Sequence, residues 1–147
     1  MYTATVLVVD DSSDIRMLLR RILTGAGYHT VEAANGQEAI RLARQYRPAL
    51  VLLDLNLPAL DGWEVARRMR AEPALDDTSI VAITGYCMGS AVHAALDAGC
   101  ASVWFKPFDM HQLLSEIVAR ITTQGAFEQA IQNHVAAFTQ RALTHAA

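Results

Sequence analysis

Residues 6–11 have the sequence VLVVDD, in which four aliphatic residues are followed directly by two aspartates. A continuous apolar run that is rich in β-branched side chains is typical of a strand buried on both faces. Downstream, Ile15, Leu18, Leu19 and Ile22 recur at the spacing of one helix face. The stretch therefore predicts a buried strand, a short acidic turn and an amphipathic helix.

The same unit of strand and helix repeats along the chain. Four further apolar runs predict strands at residues 28–33, 49–53, 80–83 and 102–105. Apolar residues at helical spacing predict four more helices, at residues 37–46, 62–70, 90–98 and 113–121. Strict alternation favours an α/β fold with a parallel sheet and helices on both faces. Right-handed crossovers leave few topologies, and we expect a five-stranded, flavodoxin-like sheet in the order 2-1-3-4-5.

The composition limits the classes of protein to which the chain can belong. It has 147 residues, 52% hydrophobic and 18% charged, as expected of one folded domain. A formal net charge of −3 argues against a nucleic-acid footprint, so we expect no direct DNA binding. There is no signal peptide pattern and no apolar run of the ~20 residues that span a bilayer. The two cysteines are too few for a disulfide scaffold. We therefore expect no membrane association and a cytoplasmic location.

Polar residues follow four of the five predicted strands. Asp10 and Asp11 follow the first strand, Asp54 the third, Thr84 the fourth and Lys106 the fifth. The carboxyl ends of parallel strands meet at one edge of the sheet, where α/β proteins form their ligand crevices. Each residue also has an ordinary structural interpretation, such as a helix cap, a turn residue or a solvated charge. Their shared position favours a common site.

The expected cluster has a recognisable chemistry. Two or three close carboxylates repel one another unless a cation lies among them. Oxygen ligands without histidine or cysteine favour a hard ion, Mg²⁺ before Zn²⁺. A carboxylate beside Mg²⁺ and a lysine can attack phosphorus and form an aspartyl phosphate. A hydroxyl such as that of Thr84 could then donate a hydrogen bond to a phosphoryl oxygen.

Four motifs carry a resemblance to a known family. They are VLVVDD at residues 6–11, LLDLNLPALDG at 52–62, Thr84 after an apolar strand, and KPF at 106–108. Together they are highly specific, and the chain resembles the receiver domains of two-component response regulators over about residues 4–122. The resemblance implies a phosphorylation-activated signalling switch that a histidine kinase or phosphotransfer protein phosphorylates.

The resemblance also implies a metal-dependent phosphoacceptor. Asp54 would be the phosphoacceptor. Asp11, Asp54 and the main-chain carbonyl of Asn56 would ligate Mg²⁺ directly, and Asp10 would act through a metal-bound water.

Further roles follow for residues near the fifth strand. Lys106 would pair with the phosphoryl group, Thr84 would reorient to hydrogen-bond it, and the Lys106–Pro107 peptide bond would be cis. Members of the family usually carry a tyrosine or phenylalanine three residues before the lysine, where this chain has Val103. The neighbouring Trp104 should point to the other face of the sheet, because side chains alternate along a strand. An aromatic flip coupled to Thr84 is therefore not expected.

Two other functions compete with the signalling switch. An Mg²⁺-dependent phosphatase with an aspartyl-phosphate intermediate also places an aspartate at a strand end. It needs a second aspartate two residues later, where this chain has Asn56, and a capping insertion, for which no loop is long enough. A binding module that never takes phosphate is disfavoured because Asp54 and Lys106 are both present. We therefore expect a signalling domain and not an enzyme.

The sequence divides into a receiver domain at residues 1–123 and an extension at residues 124–147. Within the extension, Phe127, Ile131, Val135 and Phe138 recur about every four residues and predict an extra C-terminal amphipathic helix. The helix could fold back over its own domain, connect to a further module, or pack on a partner. For the last alternative we expect a homodimer through this helix.

Overall fold

Strands and helices alternate along the residues that the computed structural model describes, 3–85 and 89–122. The strands are Thr5–Val9 (β1), His29–Ala33 (β2), Leu50–Asp54 (β3), Ser79–Thr84 (β4) and Ser102–Phe105 (β5). The helices are Ser13–Gly25 (α1), Gly36–Tyr46 (α2), Gly62–Arg70 (α3), Gly89–Asp97 (α4) and residues 110–122 (α5). A short 3₁₀ helix at Pro73–Leu75, which was not expected from the apolar pattern, precedes β4.

The five strands form one sheet in the order β2-β1-β3-β4-β5, and every pair is parallel. The predicted fold class and strand order are thus confirmed. β3 lies at the centre of the sheet, and all five of its residues are buried. A strand with helices over both faces needs apolar side chains on both, which explains the unbroken apolar run in the sequence.

The helices cover the two faces of the sheet unequally. Side chains alternate along β1, so Val6 and Val8 join the core beneath α1 and α5. Leu7 and Val9 join the core on the other face, beneath α2, α3 and α4. The carboxyl edge of the sheet is therefore formed by strands that pack against helices on both faces.

Side-chain caps set the start of the first three helices. Ser12 accepts a hydrogen bond from the N–H of Ile15 in α1, and Asn35 accepts one from Glu38 in α2. Asp61 does the same for Glu64 at the start of α3. Each cap satisfies one of the amide donors that a helix N-terminus leaves unpaired.

Two strands extend one residue further than predicted. Asp54 is the last residue of β3 and pairs with Ile83, and Thr84 is the last residue of β4 and pairs with Phe105. The apolar run in the sequence ends one residue before the main-chain pairing between strands does. Polar residues can take part in this pairing because it involves only main-chain groups. Both side chains are therefore held on regular strand geometry.

The predicted extra helix at residues 124–147 lies outside the described residues. Among the helices that are described, none combines the length and apolar character needed to cross a membrane.

Candidate functional site

The carboxyl edge of the sheet brings four of the predicted site residues together. Asp10 follows β1, and its N–H donates to the carbonyl of Ala33 at 3.1 Å. Asp54 ends β3 and Thr84 ends β4. Lys106 follows β5, and its N–H donates to the carbonyl of Thr84 at 2.8 Å. The expected convergence is observed because main-chain hydrogen bonds to neighbouring strands hold the residues that follow β1 and β5.

The ammonium group of Lys106 lies between two carboxylates. Its Nζ is 3.2 Å from Oδ2 of Asp54 and 3.3 Å from Oδ2 of Asp10. The carboxylate side chains are 3% and 4% exposed and that of the lysine is 29% exposed, so this contact is largely shielded from water. Burial alone would lower the pKa of Lys106, but the charges of Asp54 and Asp10 outweigh it, and the pKa lies above its ordinary value.

The second oxygen of each carboxylate accepts a main-chain hydrogen bond. Oδ1 of Asp10 accepts from the N–H of Ser12, and Oδ1 of Asp54 accepts from that of Asn56, both at 2.9 Å. Burial raises the pKa of Asp10. The Ser12 N–H opposes this rise, the Asp54 charge adds to it, and Lys106 lowers the pKa. The two carboxylates are thus fixed in orientation while their charges are only partly balanced.

The donor set fits a hard divalent cation. One oxygen each from Asp10, Asp11 and Asp54 can lie within 4.8 Å of one another. Asp11 is exposed whereas the other two are buried, so the group opens towards solvent on one side. Two buried carboxylates and an exposed one exceed the single positive charge of Lys106. Oxygen ligands with excess negative charge are those that Mg²⁺ takes in proteins.

Asn56 adjoins this group through the hydrogen bond from its N–H to Asp54. The assignment of its carbonyl as a metal ligand remains a prediction.

Arg16 belongs to the surroundings of the site, although no motif in the sequence indicates it. Its Nη1 donates to the main-chain carbonyl of Asp10 at 2.7 Å, and its Nε lies 3.4 Å from a carboxylate oxygen of Glu32. Glu32 also pairs with Arg20 at 3.2 Å. The helical position of Arg16 could not reveal this contact, because Glu32 lies on β2 and reaches α1 only in the folded chain.

The loop after β3 contains two residues with unusual backbone requirements. A Cβ on Gly62 would lie 2.5 Å from the Cα of Leu55 and 2.6 Å from the carbonyl oxygen of Asp54. Only glycine permits this approach. Ala59 has a φ of 63°, in the left-handed region that alanine rarely adopts. The close packing of Gly62 against the backbone of Asp54 and Leu55 therefore fixes the end of the loop, where α3 begins.

The side chains of β5 alternate as predicted. Val103 packs against the core beneath α2, α3 and α4, whereas Trp104 packs on the side of α1 and α5. The indole N–H of Trp104 donates to the carboxylate of Glu116 on α5. Thr84 is fully buried, and the Lys106–Pro107 bond is cis, as predicted. The aliphatic Val103 thus occupies the position three residues before Lys106, on the sheet face that lies beneath α2, α3 and α4.

Comparison with known proteins agrees with the geometry. The family model for the response regulator receiver domain matches residues 6–118. The sporulation initiation phosphotransferase F of Bacillus subtilis is 33% identical over 113 residues, which cover 77% of this chain and 90% of that protein.

Solved structures show the same likeness. The chemotaxis protein CheY4 of Vibrio cholerae has a TM-score of 0.75 at 30% identity, over 79% of this chain and 97% of that one. The receiver domain of a sensor histidine kinase of Pseudomonas aeruginosa, solved with magnesium in its active-site cleft, has a TM-score of 0.75 at 27% identity. That match covers 82% of this chain and 99% of the other. The chain therefore belongs to the family of response regulator receiver domains, the signalling domains of two-component systems.

Proposed function

We propose that Asp54 accepts a phosphoryl group from the phosphohistidine of a histidine kinase or phosphotransfer protein, and that the phosphorylated domain controls an output partner. The observation that carries the proposal is the position of Asp54. It is a buried carboxylate at the end of the central strand, with the Lys106 ammonium 3.2 Å away and Asp10 and Asp11 beside it.

The transfer needs an in-line approach of the donor to Asp54. A carboxylate oxygen of Asp54 forms a bond to phosphorus as the bond between phosphorus and the donor imidazole nitrogen breaks, and the imidazole leaves with the electron pair. Lys106 stabilises the charge on the phosphoryl oxygens.

The metal-binding group supports the same step. Asp11, Asp54 and the Asn56 carbonyl would hold Mg²⁺ directly, and Asp10 would hold it through a water. The ion, when bound, would supply positive charge to the transferring oxygens. Excess negative charge among the three aspartates supports this assignment, because a cation relieves their repulsion.

The switch would begin at Thr84. Phosphorylation replaces the carboxylate charge of Asp54 by a phosphoryl group that carries about −1.5 to −2, by analogy with other phosphorylated residues. We expect the buried hydroxyl of Thr84 to reorient towards a phosphoryl oxygen and to shift the β4–β5 region between two states. Val103 is a small aliphatic residue, so the response should depend on Thr84 more than on residue 103.

The phosphatase alternative gains no support. Asn56 occupies the position where that class needs a second aspartate. The connections between elements in residues 3–85 are short, with no insertion that could cap a substrate. A phosphate-free binding module would not need a lysine placed between two buried carboxylates.

Partners and location follow from the signalling role. We expect a cytoplasmic histidine kinase or phosphotransfer protein as donor, and the net charge of −3 disfavours direct DNA binding. Homodimerisation through residues 124–147 remains a prediction from the sequence.

Phosphorylation of the full chain tests the proposal. With Mg²⁺ and acetyl phosphate, intact mass should show one added phosphoryl group, and Asp54→Asn should abolish it because an amide is not a nucleophile. Asp97→Asn, at an exposed position on α4, is the matched control and should be labelled at the wild-type rate. Labelling of Asp54→Asn at that rate would refute the assignment.

A second experiment separates labelling from response. Thr84→Ala should still be labelled, but its NMR shift changes on beryllofluoride binding should be smaller than those of wild type. Val103→Ala should retain most of the response. Identical shift changes in wild type and Thr84→Ala would remove the hydroxyl from the switch.

A further inference from the structure

A cavity of about 480 Å³ lies next to the acidic site, between the loop after β3 and the first turns of α3 and α4. Ligand pockets of proteins usually occupy ~300–1,000 Å³, so the cavity has room for a small ligand or a long side chain. The apolar part of its lining comes from Leu55, Leu57, Trp63 and Ala91. The two leucines are buried and the other two residues are half-buried. The cavity therefore offers an occupant apolar contacts, including an aromatic ring.

The polar part of the lining carries one charge. It comes from Asn56, Asp61 and Ser90, all of them exposed, and of the described lining residues only Asp61 has a formal charge. Oδ1 of Asp61 accepts the N–H of Glu64 at 2.9 Å. No cation pairs with this carboxylate among residues 3–85 and 89–122. The carboxylate therefore retains acceptor capacity, and its charge favours a cationic occupant.

The position of the cavity indicates where such an occupant comes from. Leu55 follows Asp54 directly in the chain, and the N–H of Asn56 donates to the carboxylate of Asp54 at 2.9 Å. A protein that brings its phosphohistidine to Asp54 therefore also covers the neighbouring mouth of the cavity. This position favours a side chain of the docked protein as the occupant.

An arginine side chain has the properties that this lining requires. Its methylene groups make apolar contacts with residues such as Leu57, while its head group stays polar. The guanidinium stacks on aromatic rings such as that of Trp63 and donates hydrogen bonds to carboxylates such as that of Asp61. The ammonium group of lysine is compact and strongly hydrated, so it gains less from an apolar and aromatic lining.

We propose that the cavity receives an arginine side chain of the phosphodonor protein. This inference rests on the proposed function, because it is the donor that approaches Asp54. A small phosphodonor such as acetyl phosphate needs no contact with the cavity. Labelling by acetyl phosphate therefore reports on the phosphoacceptor alone, whereas transfer from a protein reports on the cavity as well.

NMR titration of the full-length protein with N-acetylarginine amide tests the chemistry of the cavity. Mg²⁺ is present in excess, so that the peptide model does not compete for the three aspartates of the acidic site. We expect saturable shift changes at the indole N–H of Trp63 and at the methyl groups of Leu55 and Leu57. N-acetylcitrulline amide, which has a similar shape without the charge, and N-acetyllysine amide should each bind several-fold more weakly.

Two substitutions alter the cavity in different ways. Asp61→Asn removes the charge and should weaken binding of N-acetylarginine amide several-fold, while α3 keeps its cap because asparagine caps helices as well as aspartate does. Ala91→Leu fills the cavity and should abolish the saturable shift changes. Asp97→Asn and Ala94→Leu, both at exposed positions of α4 that do not line the cavity, are the matched controls and should bind as wild type does.

Phosphotransfer profiling against purified, autophosphorylated histidine kinases tests the partner. The kinase that labels wild type fastest should label Asp61→Asn and Ala91→Leu several-fold more slowly, whereas acetyl phosphate should label Asp54 in both variants at the wild-type rate. Kinase transfer at the wild-type rate in both variants would overturn the proposal.

The titrations also distinguish the other occupants. Equal binding of the arginine and citrulline amides, or binding that Ala91→Leu leaves unchanged, would overturn the proposal. Free arginine that binds more tightly than its blocked amide would assign the cavity to the amino acid and overturn the protein partner. Failure of acetyl phosphate to label wild type would instead refute the assignment of Asp54 as phosphoacceptor.

Discussion

The guanidinium group of Arg16 donates a 2.7 Å hydrogen bond to the main-chain carbonyl of Asp10. Because Glu32 holds the same guanidinium from β2, the turn between β1 and α1 is tied to a neighbouring strand as well as to its own helix. Arg16 thereby holds the main chain of Asp10, and so positions its carboxylate, without entering the site itself.

Replacement of Arg16 should therefore weaken metal binding. Arg16→Ala should raise the Kd for Mg²⁺ several-fold and lower the free energy of unfolding by about 1.5–3 kcal/mol, the usual range for a hydrogen bond that involves a charged group. Arg20→Ala is the control, because it loses only a solvent-exposed contact with Glu32. Titration calorimetry and urea unfolding measure the two effects. Equal Kd values for Arg16→Ala and Arg20→Ala would contradict the role of Arg16.

Lys106 should compete with the metal ion for the same carboxylates. Lys106→Met removes the positive charge near Asp10 and Asp54 and leaves their repulsion unbalanced, so Mg²⁺ should bind about tenfold more tightly, equivalent to ~1.4 kcal/mol. Lys106→Arg keeps the charge and should stay close to the wild-type Kd. Calorimetric titration with Mg²⁺ gives both constants, and weaker binding to Lys106→Met than to wild type would show that the lysine does not oppose the ion.

Ala59 offers a stabilising substitution. At a φ of 63° alanine is strained, so Ala59→Gly should raise the free energy of unfolding by up to about 1 kcal/mol. Ala71→Gly, at a φ of −74°, provides the matched control and should lower it by up to about 1 kcal/mol. Urea unfolding compares the two proteins. A loss of stability in both would mean that chain entropy outweighs the strain at residue 59.

The thiol of Cys100 should make stability fall at alkaline pH. Burial raises its pKa from 9.0 to about 11, although Arg70 opposes the rise. Between these values the unfolded chain loses the thiol proton while the folded chain keeps it, so rising pH favours unfolding. The contribution approaches about 2–3 kcal/mol above pH 11.

Cys100→Ala isolates this contribution. Its free energy of unfolding should decline less than that of wild type between pH 9 and pH 11. The cavity left by the lost sulfur shifts the whole curve and does not change this slope, so parallel curves would refute the raised pKa.

The sequence predicted the sheet and the meeting of the site residues because both depend on local patterns. Apolar runs mark buried strands, and parallel strands carry whatever follows them to one edge. Such local patterns could not predict the role of Arg16, since Glu32 and Asp10 approach it only after β1 and β2 pair. The conformation of Ala59 was equally hidden, because alanine itself gives no indication of a positive φ. Side-chain positions on β5 were predictable, as strand alternation alone separates Val103 from Trp104.

Lys106 has a further consequence for how the protein is made. The lysine lies 52 residues from Asp54 and 96 residues from Asp10 along the chain. A nascent chain that has formed the sheet only as far as β4 holds both acids but not the ammonium group between them. The lysine arrives with β5, a four-residue edge strand that is nowhere fully buried. Under the proposed function, competence for phosphorylation is thus acquired only when β5 joins the sheet, and local opening of this edge should inactivate the domain while the central strands stay folded.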